Sequence, residues 1–286
     1  MEEKVFLNGE LVAASDAKVS VFDGGFLHGA GLFETMRAYA GKVYRLDEHL
    51  ERLLNSAKKL AIPVAGNKDD LHDAVVRTLE ANGLSEARLR LTVSRGDLRG
   101  ESKGTILITA SQLQTYPEEF YQKGMSVVIS DSKVSSSDPI ARHKSTNYLA
   151  RLLVLRKAQQ LKAGEALWLT ESNHLAEGCI SNVFLVKDGK LLTPSLDEPI
   201  LPGVTRAAVL ELAKAENIPV GEQALAIDDL LGADEVFLTN SIMEIMPVCR
   251  IEKHVVGDEK PGAMTKQLGQ AYRQDVSKKC QQDPLE

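Results

Sequence analysis

Cysteine, basic residues and long apolar runs are all scarce in this sequence, and each scarcity argues against a class of protein. The three cysteines, Cys179, Cys249 and Cys280, have no paired spacing, so we expect neither a disulfide framework nor a metal site. No apolar run approaches the ~20 residues of a membrane span, so we expect no membrane partner. Acidic residues outnumber basic ones by 40 to 34, and no long basic run occurs, which argues against a nucleic-acid partner.

The rest of the composition is that of an ordinary soluble globular protein. Of the 286 residues, 43% are hydrophobic and 26% are charged, and this length suits about two domains with a well-buried core. The first residues, Met1–Lys4, do not form the pattern of a signal peptide. We therefore expect a cytoplasmic protein.

Turn signals and apolar periodicity predict a mixture of strands and helices. Asn8-Gly9 lies in an alternating stretch and predicts a hairpin, and Ala40–Lys42 and Lys187–Lys190 predict further turns. Helices are predicted at about 47–60, 68–82, 147–161, 204–216, 228–231 and 262–280, and strands at about 43–46, 87–95, 104–112, 126–130, 165–171, 182–187 and 235–239.

The order of these elements predicts two domains. Strands and helices do not alternate strictly, which favours an α+β fold made of two α/β domains. Pro117 and the polar residues around it are typical of a linker. We predict a smaller N-terminal domain over 1–115, an interdomain linker over 116–125, and a larger C-terminal domain over 126–286.

A glycine-rich stretch, Phe22–Gly31, precedes the predicted strand that contains Phe33. Its four glycines are of the kind that cradle a phosphate, but no GxGxxG or P-loop pattern follows a strand here. We interpret the stretch as a buried turn that leads into a strand.

Lys144 lies where a loop with Pro139 leads into the predicted helix over 147–161. Crowding by Arg142 and His143 and desolvation by the helix would both disfavour the charged form of its amine and make the nitrogen nucleophilic. Taken alone, the pattern is more typical of a solvated surface lysine.

Motifs elsewhere in the sequence favour a functional role for Lys144. The chain resembles the class IV, fold-type IV family of pyridoxal-phosphate (PLP) enzymes, which includes branched-chain aminotransferases, D-amino-acid aminotransferases and aminodeoxychorismate lyases. The matching pieces occur in family order over almost the whole sequence: Asn8-Gly9, Phe33–Arg37, Arg45–Leu53, His143–Leu149, Ala176–Phe184, Thr193-Pro194, Leu201–Arg206 and Thr239–Val248.

The resemblance implies a D-amino-acid aminotransferase-like fold, a homodimer, a cofactor in the cleft between two domains, and roles for particular residues. Lys144 would form the Schiff base with PLP and then act as a general base. Glu177 would keep the pyridine nitrogen protonated, so that the ring accepts electrons. The other cofactor-binding candidates are Arg45, Val204, Thr205, Asn240 and Ser241 at the phosphate, Tyr148 at the phenolic oxygen and Leu201 on the back of the ring.

Val204 and Thr205 also suit a phosphate on physical grounds, because unpaired N–H groups and the positive dipole end of a helix attract a dianion. Arg45 offers a guanidinium that can bind an anion through two hydrogen bonds.

The substrate residues are less uniform. Arg88 and Arg90 alternate along a predicted strand, so both point to one face. There they could bind a substrate carboxylate, or they could equally well contact Glu86, Glu34 or solvent. Arg90 matches an arginine of branched-chain enzymes, whereas Phe33 and Thr35 resemble the lyases. His28 corresponds to a residue that family members send into the partner's active site.

We therefore predict a PLP-dependent aminotransferase that moves an amino group between an α-amino acid, branched-chain L- or D-, and a 2-oxo acid. The alternative is an aminodeoxychorismate lyase, which eliminates pyruvate and gives 4-aminobenzoate. A third hypothesis is a PLP-binding protein without catalysis, although such a protein would not need Lys144 and Glu177 together.

Overall fold

The computed structural model describes residues 2–100 and 103–280, which fall into two compact units. The first unit contains the described residues up to 114 together with 143–147 and 276–280. The second contains 115–142 and 148–275. Each unit combines helices with a sheet, which confirms the predicted α+β class.

The first unit is a six-stranded sheet covered on one face by helices. Its strands are β1 (Lys4–Leu7), β2 (Glu10–Ala13), β3 (Gly31–Tyr39), β4 (Lys42–Val43), β5 (Ala87–Ser94) and β6 (Thr105–Gln112), in the order β2-β1-β6-β5-β3-β4. Its helices are α1 (Gly24–His28), α2 (Leu46–Lys59) and α3 (Lys68–Ala81). The predicted hairpin at Asn8-Gly9 is confirmed, since Leu7 pairs with Glu10.

Period-two alternation divides the first sheet into two different faces. Leu32 and Met36 of β3 pack with Leu50 and Leu53 of α2 in a buried core that α3 completes. The intervening residues of β3 and β5 point to the opposite face. That opposite face holds most of the substrate residues predicted from the sequence.

The second unit is built on a nine-stranded sheet. Its strands are β7 (Met125–Val134), β8 (Glu165–Thr170), β9 (Leu175–Gly178), β10 (Asn182–Lys187), β11 (Lys190–Pro194), β12 (Val220–Gln223), β13 (Glu235–Asn240), β14 (Glu244–Ile251) and β15 (His254–Val255). Eight follow the order β12-β11-β10-β13-β14-β7-β8-β9, and β15 pairs with β14. Its helices are α4 (Glu118–Lys123), α5 (Leu149–Gln160), α6 (Val204–Ala215), α7 (Ile227–Leu231) and α8 (Ala263–Cys280), the last of which ends in the first unit.

Strands β10 and β13 pack one face into a core cluster and carry a polar pair on the other face, beside the stacked rings of Phe184 and Phe237. Val183 and Leu185 join a core cluster on one side. Asn182 pairs directly with Thr239 in the antiparallel register, so both side chains project to the other side. The polar pair is the first indication of a site in this unit.

Three predicted segments differ from the structure. The strand predicted over 43–46 ends at Val43, because Arg45 adopts a left-handed conformation and caps α2. The predicted linker over 116–125 contains α4, whose Phe120 packs against the core of the second unit. The glycine-rich stretch forms the short helix α1, capped by the Asp23 carboxylate, before β3 begins.

The sequence did not predict β14, although it lies inside the sheet between β13 and β7. Pro247 obscured it, because proline lacks an N–H and is rare in central strands. Here Pro247 pairs opposite Phe237, and the ladder to β7 shifts register nearby, between Val248 and Arg250.

The segment that carries Lys144 was predicted in the C-terminal domain, but residues 143–147 group with the first unit. The reason is backbone pairing, since Ser145 forms an antiparallel bridge with Leu32 of β3. The chain thus leaves the second unit for five residues and then returns to it.

Candidate active site

Lys144 lies in a loop segment that pairs with β3 through an isolated bridge at Ser145. The Phe33 N–H donates to the Lys144 carbonyl at 2.8 Å, and the Thr146 N–H donates to the Gly31 carbonyl at 2.9 Å. The Thr146 hydroxyl donates to the carbonyl of Gly29 at 2.7 Å. These bonds flank Ser145, the next residue, and they hold the backbone of Lys144 against β3.

The amine of Lys144 lies on a polar face of the first unit. Its Nζ is 4.6 Å from the centre of the Phe33 ring, and the Arg90 guanidinium carbon is 3.9 Å from the same ring. Thr35 pairs directly with Arg90, and Arg37 with Arg88, so all four project to the face opposite the core. The predicted common face of Arg88 and Arg90 is confirmed. Arg88 is exposed, while Arg90 is half-buried.

The carboxylates suggested as partners for these arginines lie elsewhere. Glu86 is 3.9 Å from Arg37 and accepts from the Ala40 N–H. Glu34 points to the core face, where its Oε1 accepts from Arg52 Nε at 2.8 Å and its Oε2 is 2.7 Å from His49 Nδ1.

Glu34, His49 and Arg52 form a buried polar cluster beneath β3. Burial alone would raise the pKa of Glu34, but the Arg52 charge and the hydrogen bond from His49 outweigh it and hold that pKa at about 2. Burial lowers the pKa of His49, which Glu34 partly offsets and the charges of Arg52 and Lys144 lower further. His49 is therefore neutral at pH 7 and donates its Nδ1 proton to the Glu34 anion.

Replacing Glu34 by glutamine should destabilise the first unit by about 3 kcal/mol at pH 7, because Arg52 loses a buried partner. In the wild type, the unfolded chain takes up a proton at Glu34 near its ordinary pKa of 4.5, whereas the folded chain resists protonation down to about 2. The free energy of unfolding should therefore fall as the pH drops from 4.5 to 2. Urea unfolding at several pH values measures this, and Glu34→Gln should show a flatter dependence over that range.

The control for this prediction is Glu119→Gln, which removes a carboxylate from an exposed pair with Lys123. It should cost under about 1 kcal/mol, as exposed ion pairs do. Equal losses for the two variants would show that burial does not strengthen the Glu34 cluster.

Of the two remaining candidates in the first unit, Arg45 is buried and His28 is exposed. Arg45 is buried; its Nε donates to the Tyr44 hydroxyl at 3.2 Å and its Nη1 to Glu48 at 3.3 Å. His28 is the exposed last residue of α1. His143, next to Lys144, forms a hydrogen bond of 2.9 Å between its Nδ1 and the Ser56 hydroxyl.

Glu177 is the centre of a buried cluster in the second unit. Its Oε1 accepts from Arg151 Nη2 at 2.6 Å. Its Oε2 accepts from the Leu201 N–H at 2.9 Å and from Asn182 Nδ2 at 3.3 Å. An anion with these donors has the chemistry to hold a proton on a nearby ring nitrogen.

Tyr148 and Asn240 both donate hydrogen bonds to carbonyl groups of the turn that follows Glu177. The Tyr148 hydroxyl donates to the Cys179 carbonyl at 2.7 Å, and burial raises the pKa of this tyrosine. Asn240 Nδ2 donates to the Ile180 carbonyl at 3.0 Å, and its Oδ1 accepts from two backbone N–H groups. Ser241, half-buried, follows it.

Val204 and Thr205 form the buried first turn of α6, after Gly203. A side chain on Gly203 would collide with Asn182 Oδ1, so the helix start approaches the Glu177 cluster closely. Among the described residues, no side chain caps this helix. Thr239, one residue before Asn240, has a buried hydroxyl that lacks a hydrogen-bond partner in the described part of the chain. Free donors near a helix start suit a bound phosphate.

Sequence reasoning missed Arg151, Asn182 and Thr239. Arg151 lies three residues after Tyr148, the N-cap of α5, so both side chains lie on the same side of the helix start. That spacing is a signal visible in the sequence. Asn182 and Thr239 lie inside matched motifs, but no spacing in the sequence links them, since only the register of β10 and β13 brings them together.

Comparison with known proteins identifies the class of enzyme. The family model described as amino-transferase class IV matches residues 31–251. The chain therefore belongs to the class IV aminotransferase family, as its motifs predicted, and the prediction that it is an enzyme of this class is confirmed.

Three curated relatives carry three different activities in their names. A Methanocaldococcus jannaschii protein, whose name proposes a branched-chain-amino-acid aminotransferase, is 39% identical over 276 residues, covering 94% of this chain and 95% of the relative. The aminodeoxychorismate lyase of Bacillus subtilis is 34% identical and covers 95% and 94%. The D-alanine aminotransferase of Listeria monocytogenes is 32% identical and covers 97% of both.

Two solved structures share the fold. The branched-chain amino acid aminotransferase of Escherichia coli has a TM-score of 0.90 at 32% identity and covers 96% of this chain and 94% of its own. The branched-chain aminotransferase of the archaeon Thermoproteus uzoniensis, solved with norvaline, has a TM-score of 0.89 at 32% identity, covering 98% and 96%. The predicted fold-type IV architecture is confirmed.

Neither a membrane-spanning helix nor a metal cluster occurs among the described residues. No helix in the ranges 2–100 and 103–280 is long and apolar enough to cross a membrane. Over the same ranges, no group of three or more acidic, histidine or cysteine side chains could hold a metal ion.

Proposed function

We propose that this chain is a PLP-dependent aminotransferase that moves an amino group between an α-amino acid and a 2-oxo acid. The observation that carries the proposal is the presentation of Lys144. Backbone pairing fixes this half-buried lysine beside β3, and its amine lies over Phe33 on a face that also bears three arginines. A surface lysine would need neither the pairing nor the aromatic neighbour.

The cofactor supplies an electron sink that stabilises negative charge on the substrate's α-carbon. Lys144 is the residue proposed to bind its aldehyde and, once released, to move the α-proton. Glu177 is proposed to hold a proton on the pyridine nitrogen, because three donors keep it oriented inside the second unit. Leu201 is proposed to lie against the ring, and Tyr148 at the phenolic oxygen.

The phosphate is proposed to bind at the start of α6, through Val204 and Thr205, with Arg45, Asn240 and Ser241 as further ligands. The uncapped helix start and the orphaned Thr239 hydroxyl support this assignment. Asn240 acts mainly through the backbone it organises, since its side-chain oxygen already accepts from Ile242 and Met243.

The substrate carboxylate is proposed to bind Arg90 or Arg88 on the open face of the first sheet, near Phe33 and Thr35. Branched-chain amino acids are the first substrates to test, because the relative at 39% identity bears that name. The lyase remains the second candidate. Thr35, which resembles the lyases, lies on the same face as Arg90, and the B. subtilis lyase is 34% identical; both observations favour this candidate.

Single amino acids should be mixed with the cofactor-loaded protein without any 2-oxo acid acceptor. A transaminase should release one equivalent of 2-oxo acid per protomer, and the enantiomer that reacts fixes the stereochemistry. Absence of product with every L- and D-amino acid, but formation of 4-aminobenzoate from aminodeoxychorismate, would replace the transaminase with the lyase.

We further propose a homodimer, with His28 contributing to the partner's site. Helix α5 supports an interface, since Leu149, Leu152 and Leu153 are 70%, 50% and 57% exposed at helical spacing. Sedimentation of the purified protein measures this, and a mass of one chain at micromolar concentration would contradict it. The cytoplasmic location stays a prediction.

A further inference from the structure

The turn between β9 and β10 contacts or adjoins most of the candidate site residues in the second unit. It spans residues 178–181 and is closed by a 2.7 Å hydrogen bond from the Gly178 N–H to the Ser181 carbonyl. Glu177 comes directly before it and Asn182 directly after it. The turn therefore determines how these two side chains meet.

A single buried carboxylate, Glu165, holds one side of this turn. Glu165 begins β8 and is fully buried. Its oxygens accept from the N–H groups of Cys179 at 3.0 Å and Ile180 at 3.1 Å, and from the Ser181 hydroxyl at 3.0 Å. Its own strand adds the Ala166 N–H at 2.9 Å. Burial raises the pKa of Glu165, and these four hydrogen bonds offset part of that penalty.

The opposite side of the turn presents carbonyl oxygens to the site. The Gly178 carbonyl accepts from Arg151 Nη1 at 2.9 Å. The carbonyls of Cys179 and Ile180 accept from Tyr148 and Asn240. The same peptides thus bind Glu165 through their N–H groups and the candidate site residues through their carbonyls.

We propose that Glu165 is a positioning residue, which fixes the 178–181 turn and thereby aligns Glu177, Tyr148 and Asn240 for the cofactor. The inference rests on the proposed function, because those side chains are its proposed cofactor ligands. Glu165 touches none of the reacting groups. It acts through the peptides of the turn.

Glu165→Gln tests the proposal with little change in shape. The amide keeps one acceptor oxygen, but its NH2 group faces the Ile180 N–H, so two donors oppose each other. Amide hydrogen exchange over 178–182 in the cofactor-free protein should quicken about 10- to 100-fold, which is the loss that an unmet buried donor brings. In the loaded protein, the visible circular dichroism per bound cofactor should change, and kcat should fall more than KM rises.

The control is Leu230→Ala, a truncation of a fully buried leucine in the core of the same unit. It should lower the unfolding temperature while leaving the circular dichroism per bound cofactor and the local exchange at 178–182 as in the wild type. If Glu165→Gln does not fold, Ser181→Ala serves instead, since it removes one donor to Glu165 and should shift the same signals less.

Three outcomes separate the hypotheses. Borohydride reduction and peptide mapping first establish whether the wild type carries a phosphopyridoxyl group on Lys144. A wild type without that group overturns the proposed function and, with it, this inference. A variant that carries the group with unchanged circular dichroism and exchange overturns the role of Glu165 alone, and so does the same change in the Leu230→Ala control.

Discussion

Lys144→Ala should abolish covalent attachment of the cofactor and lower kcat by at least about 10³-fold, as loss of a covalent catalytic group does in other enzymes. The fold should survive, because β3 pairs with the backbone of residues 144–146 and not with the lysine side chain. The amine's contact with the Phe33 ring is worth only about 1 kcal/mol. Borohydride reduction followed by peptide mass analysis measures attachment, and steady-state kinetics measures turnover.

The matched control is Lys157→Ala. Lys157 is an exposed lysine whose ion pair with Asp131 lies on the surface, so its loss should change neither attachment nor rate. If the Lys144→Ala protein converts substrate at the wild-type rate, Lys144 is not the nucleophile. Attachment at another lysine in the wild type would show the same.

Glu177→Gln should retain the cofactor but react on the order of 100-fold more slowly. A neutral amide cannot stabilise a proton on the pyridine nitrogen as a carboxylate does, and preorganised charges of this kind are worth about 10² to 10³ in rate. The variant should also lose about 3 kcal/mol of stability, because the Arg151 guanidinium is left without its buried anion. Kinetics on the fully loaded protein and urea unfolding measure the two effects.

The double variant Glu177→Gln with Arg151→Met separates stability from catalysis. Removing both charges should restore much of the lost stability, since no unpaired buried ion remains. The rate should stay low, because the acid partner of the ring is still absent. Recovery of the rate together with stability would mean that Glu177 serves the fold and not the chemistry.

Local chemistry made several parts of the structure predictable. Asn8-Gly9 forms its hairpin because both residues adopt positive φ angles that an Asn-Gly pair accepts at low cost. Helix α3 begins at Lys68 because Asn67 and Asp70 form a capping box. Arg88 and Arg90 share a face because strand side chains alternate. Each of these depends on neighbours only a few residues apart.

The errors came from contacts between distant residues. Nothing near Arg45 in the sequence indicates that it ends a strand and caps a helix in a left-handed conformation. Pro247 argued against a strand, yet pairing with β13 overrides that preference. The five residues around Lys144 group with the first unit because they pair with β3, more than 100 positions earlier in the chain.

The sequence by itself determined the family and most helix and strand positions, and it singled out Lys144 and Glu177 as candidates, because these follow from ordered motifs and short-range periodicity. Only the tertiary structure decided which side chains meet. Glu34 turned out to bind His49 and Arg52 in the core and not the arginines of the open face. Glu165 and Arg151 proved to hold opposite sides of one turn. Such contacts depend on strand register and packing between residues far apart in the chain, which no local pattern encodes.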